Sequence, residues 1–168
     1  MTTTTYFSIE SESDVDSAIK NHETRIHIKN GKFLDTLNLI PDVTHLNISY
    51  CNLTELPSLP STLLELDCSG NSLAQLPILP SKLEDLDCSF NKLAAIKVLP
   101  NRVKTFICNH NQLTALPKLP PNLRKLDCSF NKLLVLPPVP NTLLVLTCNH
   151  NRIKELPPLP ETITVIQS

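Results

Sequence analysis

Apolar residues in this chain return every twenty positions, led by Ile26, Leu46, Leu66, Leu86, Phe106, Leu126 and Leu146 with no insertion between them. A fixed period of this length marks a stacked repeat, because a unit too small to bury its own apolar face buries it against the copies above and below. Counting twenty columns from those residues gives L-x-C-S-x-N-x-L-x-x-L-P-x-L-P-x-x-L-x-x, clearest in LDCSFNKLLVLPPVPNTLLV at 126–145. Columns 1 and 3 are apolar around one polar residue, the alternation of a short strand with one buried face. Stacking the rows predicts a parallel sheet.

The other columns fill in the coil. Column 3 runs Ile28, Ile48, Cys68, Cys88, Cys108, Cys128, Cys148, so five thiols are expected to point inward as small apolar groups. Column 6 holds Asn71, Asn91, Asn111, Asn131 and Asn151, whose amides are expected to bond to backbone groups of neighbouring turns. Gly31 and Cys51 occupy that column in the first two rows, so this ladder should begin at the third. Columns 8, 11, 14 and 18 are mostly leucine and complete the core, while prolines such as Pro57, Pro60, Pro117 and Pro120 exclude a helix and predict an extended, polyproline-II-like outer side. Two rows depart from this: Lys97 replaces the first proline of the fourth, and Thr36 replaces a leucine in the first. Both read as local irregularities.

The domain reading is an N-terminal cap at 1–25 followed by seven repeats and a terminal strand stub at 26–168. Within the cap, Ser11 to Asn21 places Val15, Ala18 and Ile19 on one side and predicts a short amphipathic helix over the first row. At the other end Thr162, Ile163, Val165 and Ile166 read as a last strand, with the stub starting at Ile166. Such an uncovered edge invites pairing with a second copy.

Composition refines this picture. Fifteen prolines against two glycines would suggest disorder were they not set at a fixed interval among leucines. A net charge of -1 exerts no general pull on nucleic acid or acidic membranes, and neither is expected as a partner. The start MTTTTYFSIESESD lacks the basic and apolar regions of a signal peptide, and no stretch is long enough to span a bilayer. A lipidation motif is also missing. Reduced cysteines and a cytoplasmic location are therefore the expectation.

The rows LDCSGNSLAQLPILPSKLED and LDCSFNKLLVLPPVPNTLLV resemble the short, proline-rich LPX subclass of leucine-rich repeats, over residues 26–168. That subclass is similar to the recognition domains of effectors that pathogenic bacteria inject into host cells, and to repeat proteins of large amoebal viruses. The resemblance implies a solenoid with a concave parallel sheet, a protein partner and a place in the host cytoplasm. Some bacterial members add a C-terminal ubiquitin ligase that uses a cysteine; no segment here matches it. Recognition without catalysis is the expectation, with two alternatives: a self-assembling structural protein that uses the exposed C-terminal edge, and the recognition part of a larger ligase.

Columns 20, 2, 4 and 5 are expected to face outward on the concave side. Column 5 reads Asn30, Tyr50, Gly70, Phe90, His110, Phe130, His150, and two exposed phenylalanines in a chain with 4% aromatics make a candidate hot spot. The plainer alternative is that each ring shields its neighbour's strand end. Histidines 110 and 150 are of a type that titrates near neutrality, so they are either pH-sensitive contacts or ordinary polar positions. Columns 20 and 2 bring together Glu65, Asp67, Asp85 and Asp87, with Lys125 and Asp127 further along. These suggest a basic partner, or a divalent cation, or merely the solvated acid of the repeat consensus. No cofactor and no resident metal are expected, and the thiol column reads as core. A sheet about 35 Å long and about 15 Å wide offers roughly 500 Å², less than the ~800 Å² per partner of a standard interface. A partner must therefore also grip an edge, the cap or a second copy.

Overall fold

The computed structural model describes residues 5–161 and 163–166. In chain order the elements are β1 (Phe7–Ile9), α1 (Glu12–Lys20), β2 (Arg25–Ile28), a 3₁₀ helix (Gly31–Leu39), β3 (His45–Asn47), β4 (Glu65–Asp67), β5 (Asp85–Asp87), β6 (Thr105–Ile107), β7 (Lys125–Asp127), β8 (Val145–Thr147) and β9 (Thr164–Ile166). They form one parallel sheet in sequential order β1 to β9. From β2 to β8 each residue pairs with its counterpart twenty places on, as in Leu46 with Leu66, Leu66 with Leu86 and Phe106 with Leu126. The chain is a solenoid of stacked repeats on one parallel sheet, as the spacing predicts.

The core follows from the columns. Leu46, Leu66, Leu86, Phe106, Leu126 and Leu146 are buried in column 1, and all five column-3 cysteines are buried beneath them. Burial pushes the thiols of Cys68, Cys88, Cys108 and Cys128 well above their ordinary pKa, so they remain protonated, apolar fillers. On the outer side rows two to seven carry no helix among the described residues. The carbonyl of the column-15 proline instead accepts the N–H of column 18, as in Leu63 to Pro60 at 3.2 Å and Leu143 to Pro140 at 3.0 Å. This turn returns the chain to the next strand.

Three features differ from the sequence reading, each for a local reason. The first row has no proline between Gly31 and Leu39, and its outer side coils into the 3₁₀ helix instead of running extended. Leu34, Leu37 and Ile40 are buried there at the three-residue spacing of that helix, while Leu39, in the expected core column 14, is exposed. The cap, secondly, supplies a strand as well as a helix. Phe7, Ser8 and Ile9 pair with Ile26, His27 and Ile28 and extend the sheet, and α1 packs on β1 with Val15 and Ala18 buried. Ser11 caps the helix, exchanging bonds with Asp14 in both directions.

Lastly, Leu146 pairs with Val165 and not with Ile166, so the final step is nineteen residues and the stub begins one place early. Ile163, Val165 and Ile166 present apolar residues at both parities of a two-residue period. The hydrophobic pattern there leaves register open. Thr162, placed in that strand by the sequence, lies outside the described residues.

Candidate functional site

Where the chain leaves each strand, three columns cooperate. In column 2 the carboxylate Oδ1 of Asp67 accepts the backbone N–H of Ser69 at 3.0 Å and its hydroxyl at 2.6 Å. Asp87 with Ser89 and Asp127 with Ser129 repeat the motif, and Asn47 does the same for Ser49. These Asx-type turns end the strands. They also correct the expectation for column 4: Ser69, Ser89 and Ser129 do not face outward but are buried, because their hydroxyls fold back onto the aspartates.

Column 6 then ties each turn to the row before it. Nδ2 of Asn91 donates to the carbonyls of Cys68, Cys88 and Ser89, while its Oδ1 accepts the N–H of Leu73 at 2.9 Å. Asn71, Asn111, Asn131 and Asn151 make the corresponding bonds. The ladder begins at the third row as expected. What the sequence reading missed is Cys51, which stands in the same column and donates its thiol to Ile28 O at 2.9 Å, as Asn71 Nδ2 donates to Ile48 O.

Between these columns, column 5 is left-handed in every row from the second to the seventh: φ is 54° at Tyr50, 65° at Gly70, 52° at Phe90, 51° at His110 and Phe130, and 54° at His150. That conformation costs an L-residue about 1–2 kcal/mol, so aromatic side chains here need a compensating contact. They have one. Phe90, His110, Phe130 and His150 stack in a continuous column with centroids 4.1 Å apart and interplanar angles of 14°, 17° and 9°. At Gly70 the missing side chain is replaced by the ring of Tyr50, which lies 2.5 Å from where a Cβ would stand. Phe90 and Phe130 are still 48% and 40% exposed, so the stack covers the strand ends and also shows its ring edges to solvent.

The acidic residues divide into groups. Glu65 and Asp85 are register partners in column 20, as are Asp67 and Asp87 in column 2. Asp127 lies two rows from Asp87 across Ile107, and Lys125 sits between Thr105 and Val145, away from the acidic pairs. Oδ2 of Asp67 accepts from Asn47 and that of Asp127 from Asn109, at 3.1 and 3.0 Å. Burial raises the carboxyl of Asp87 above the ordinary range against the pull of the Ser89 donors, and the neighbouring Asp67 and Asp127 add to the rise. Glu65 accepts a 2.6 Å hydrogen bond from the Tyr6 hydroxyl, with His45 Nε2 3.7 Å from its other oxygen. Tyr6 escaped the sequence reading because it stands outside the repeat; the Phe7–Ile9 alternation was the one available signal. Among the described residues no group of three His, Cys, Asp or Glu side chains has metal-binding geometry.

The leucine-rich-repeat family model matches residues 42–63 and 122–143. Among solved structures the chain is similar to YopM from Yersinia enterocolitica WA-314, at 36% identity and a TM-score of 0.76 over 86% of this chain and 31% of that one. It is also similar to YopM of Yersinia pestis, described as a leucine-rich effector protein, at 34% identity and TM-score 0.73 over 76% of this chain and 38% of that one. A Shigella effector leucine-rich-repeat domain shares 33% identity at TM-score 0.73, over 86% of this chain and 66% of that one. The chain thus spans about a third of the length of the two YopM structures. No curated protein matches it. No helix of the described residues is long and apolar enough to cross a membrane.

Proposed function

The chain is a leucine-rich-repeat protein whose repeats resemble those of bacterial effectors, and on that premise we propose that it is a non-enzymatic module binding a protein partner in the cytoplasm of a host cell. The contact surface in this reading is the concave sheet together with its aromatic edge: Tyr50, Phe90, His110, Phe130 and His150 along the edge, and Glu65, Asp67, Asp85, Asp87, Lys125 and Asp127 on the sheet. The observation that carries it is the four-ring stack, a pre-ordered aromatic strip with the edges of Phe90 and Phe130 exposed beside a charged face. Order already present in the free protein lowers the entropic cost of binding.

Within this surface the ring edges supply most of the affinity. Asp67, Asp87 and Asp127 are held by their own serines, and they set charge without reaching far. Affinity capture from host cells tests the reading. Wild-type protein should retain one dominant partner, and the Phe90→Ala, Phe130→Ala double variant, confirmed folded by its melting curve, should lose it at least tenfold. Undiminished capture by the folded double variant overturns the assignment of this surface.

A further inference from the structure

The outer side of rows three and four carries a second surface, unconnected with the concave face. Column 9 is short there: Ala74 and Ala94 stand where the sixth row has Leu134. The space they leave is a groove of about 840 Å³ running across neighbouring rows. On its walls Ile78 is 94% exposed and Val98 73% exposed, in a chain whose other aliphatic residues mostly face the core. Two branched residues in adjacent rows with so little cover give the groove an exposed apolar wall.

The charges around the groove indicate what covers it. Of its lining residues two are charged: Glu55, in the row before Ile78, and Lys97, in the row after it. Lys97 is the residue that breaks the proline pattern of the fourth row. Acid, apolar wall and base lie in successive rows, with Glu55 in column 10, Ile78 in column 13 and Lys97 in column 12, so that Glu55 and Lys97 are two row spacings, about 10 Å, apart along the stack and two columns apart across it. A surface of that order is self-complementary. Turned through a two-fold axis at the third row, Ile78 meets Ile78, while each Glu55 meets the other copy's Lys97. Isologous contacts of this kind are the commonest way in which a protein pairs with itself.

We propose that this groove is a dimer face, occupied by the same groove of a second copy of the chain. The dimer leaves both concave faces and both aromatic edges open. Joined by their outer sides, the two copies turn their concave faces apart, so that each holds its own partner. The dimer does not depend on the concave-face reading, and either can fail without the other.

Sedimentation velocity on the whole chain up to about 1 mM tests the proposal. Wild type should dimerise, and Ile78→Asp should weaken dimerisation about tenfold or more, without lowering the melting temperature because residue 78 is almost fully exposed. Glu55→Lys and Lys97→Glu should each weaken it several-fold, as a rim ion pair would, and the double reversal should restore it. A wild-type monomer throughout the range overturns the proposal. So does a dimer indifferent to Ile78→Asp, which would place the contact elsewhere, for instance at β9. A double reversal no tighter than the single variants overturns the two-fold pairing of Glu55 with Lys97.

Discussion

Rows three to seven and the first two rows solve the same problem by different means. In the later rows an asparagine satisfies the backbone where each strand ends, and from the fourth row on an aromatic column in left-handed conformation covers the result. In the first row Gly31 offers no side chain, and the chain satisfies itself: Phe33 N–H, the group that a ladder asparagine at position 51 would serve, bonds to Asn30 O inside the 3₁₀ helix. Cys51 need then only donate, and a thiol suffices. Column 6 is therefore a place where the preceding row's outer conformation decides which side chain is required. An extended row needs both a donor and an acceptor from the next; a coiled row needs the donor.

The sharpest break of this contrast is at the ladder itself. Asn111→Ala would strand the buried N–H of Leu93 and leave the carbonyls of Cys88 and Cys108 with one ladder donor each, Asn91 and Asn131. At about 1–3 kcal/mol for the one buried group left unpaired, a loss of about 2–3 kcal/mol is expected in urea denaturation. Cys51→Ala should cost about 1 kcal/mol, because it removes a donor from a half-buried site. Cys51→Ser keeps an O–H on the same carbonyl and should stay within about 0.5 kcal/mol of wild type. Equal losses for Asn111→Ala and Cys51→Ala would show that the two regions do not differ as described.

A smaller effect separates the aromatic column from Tyr50. Phe130→Ala removes two stacking contacts, with His110 and His150, at about 0.5–1.5 kcal/mol each. Phe130→Gly removes the same contacts but relieves the left-handed backbone, so it should be as stable as Phe130→Ala or about 1 kcal/mol more stable. In an ordinary loop the glycine variant would be the weaker of the two. Chemical denaturation of the pair therefore reports whether column 5 is left-handed, and wild type against Phe130→Ala reports the stacking.

Much of this was legible from spacing alone. A twenty-residue period with cysteine in column 3 and asparagine in column 6 specifies the parallel sheet, the inward thiols and the start of the ladder at Asn71, because each follows from one residue repeating at one height. What stayed hidden lies where the repeat stops dictating. The strand Phe7–Ile9 has no counterpart twenty residues away in pattern, and the register of β9 is ambiguous between two apolar parities. The aspartate–serine turns were hidden for another reason. Asp67, Asp87 and Asp127 look like solvated surface acid until the serine two residues later is seen folded onto each. Of the candidate site, the aromatic column was visible as a list of residues, but its left-handed backbone and face-to-face stacking were not.

The smallest expected effect is on pH, and it too divides the two regions. His27 and His45, in the first and second rows, have pKa values lowered chiefly by burial, with Lys29 acting on the one and Arg25 on the other in the same direction. A histidine whose folded pKa lies below its unfolded value of about 6.5 is held neutral by the fold. The unfolded chain then binds more protons, so the stability it contributes is complete above that value and is lost as pH falls through the folded pKa. Asp87 acts in the opposite sense and lower down: its raised carboxyl makes the folded state the better proton acceptor, so stability rises as pH drops from its raised folded pKa toward the unfolded value of about 3.8. Melting curves from pH 8 to pH 5.5 should therefore show a fall set by the N-terminal rows. His27→Gln with His45→Gln should flatten that fall, while Asp87→Asn leaves it in place and removes the opposing gain at more acidic pH. A slope unchanged in the histidine double variant would move the acid-sensitive element out of the first two rows.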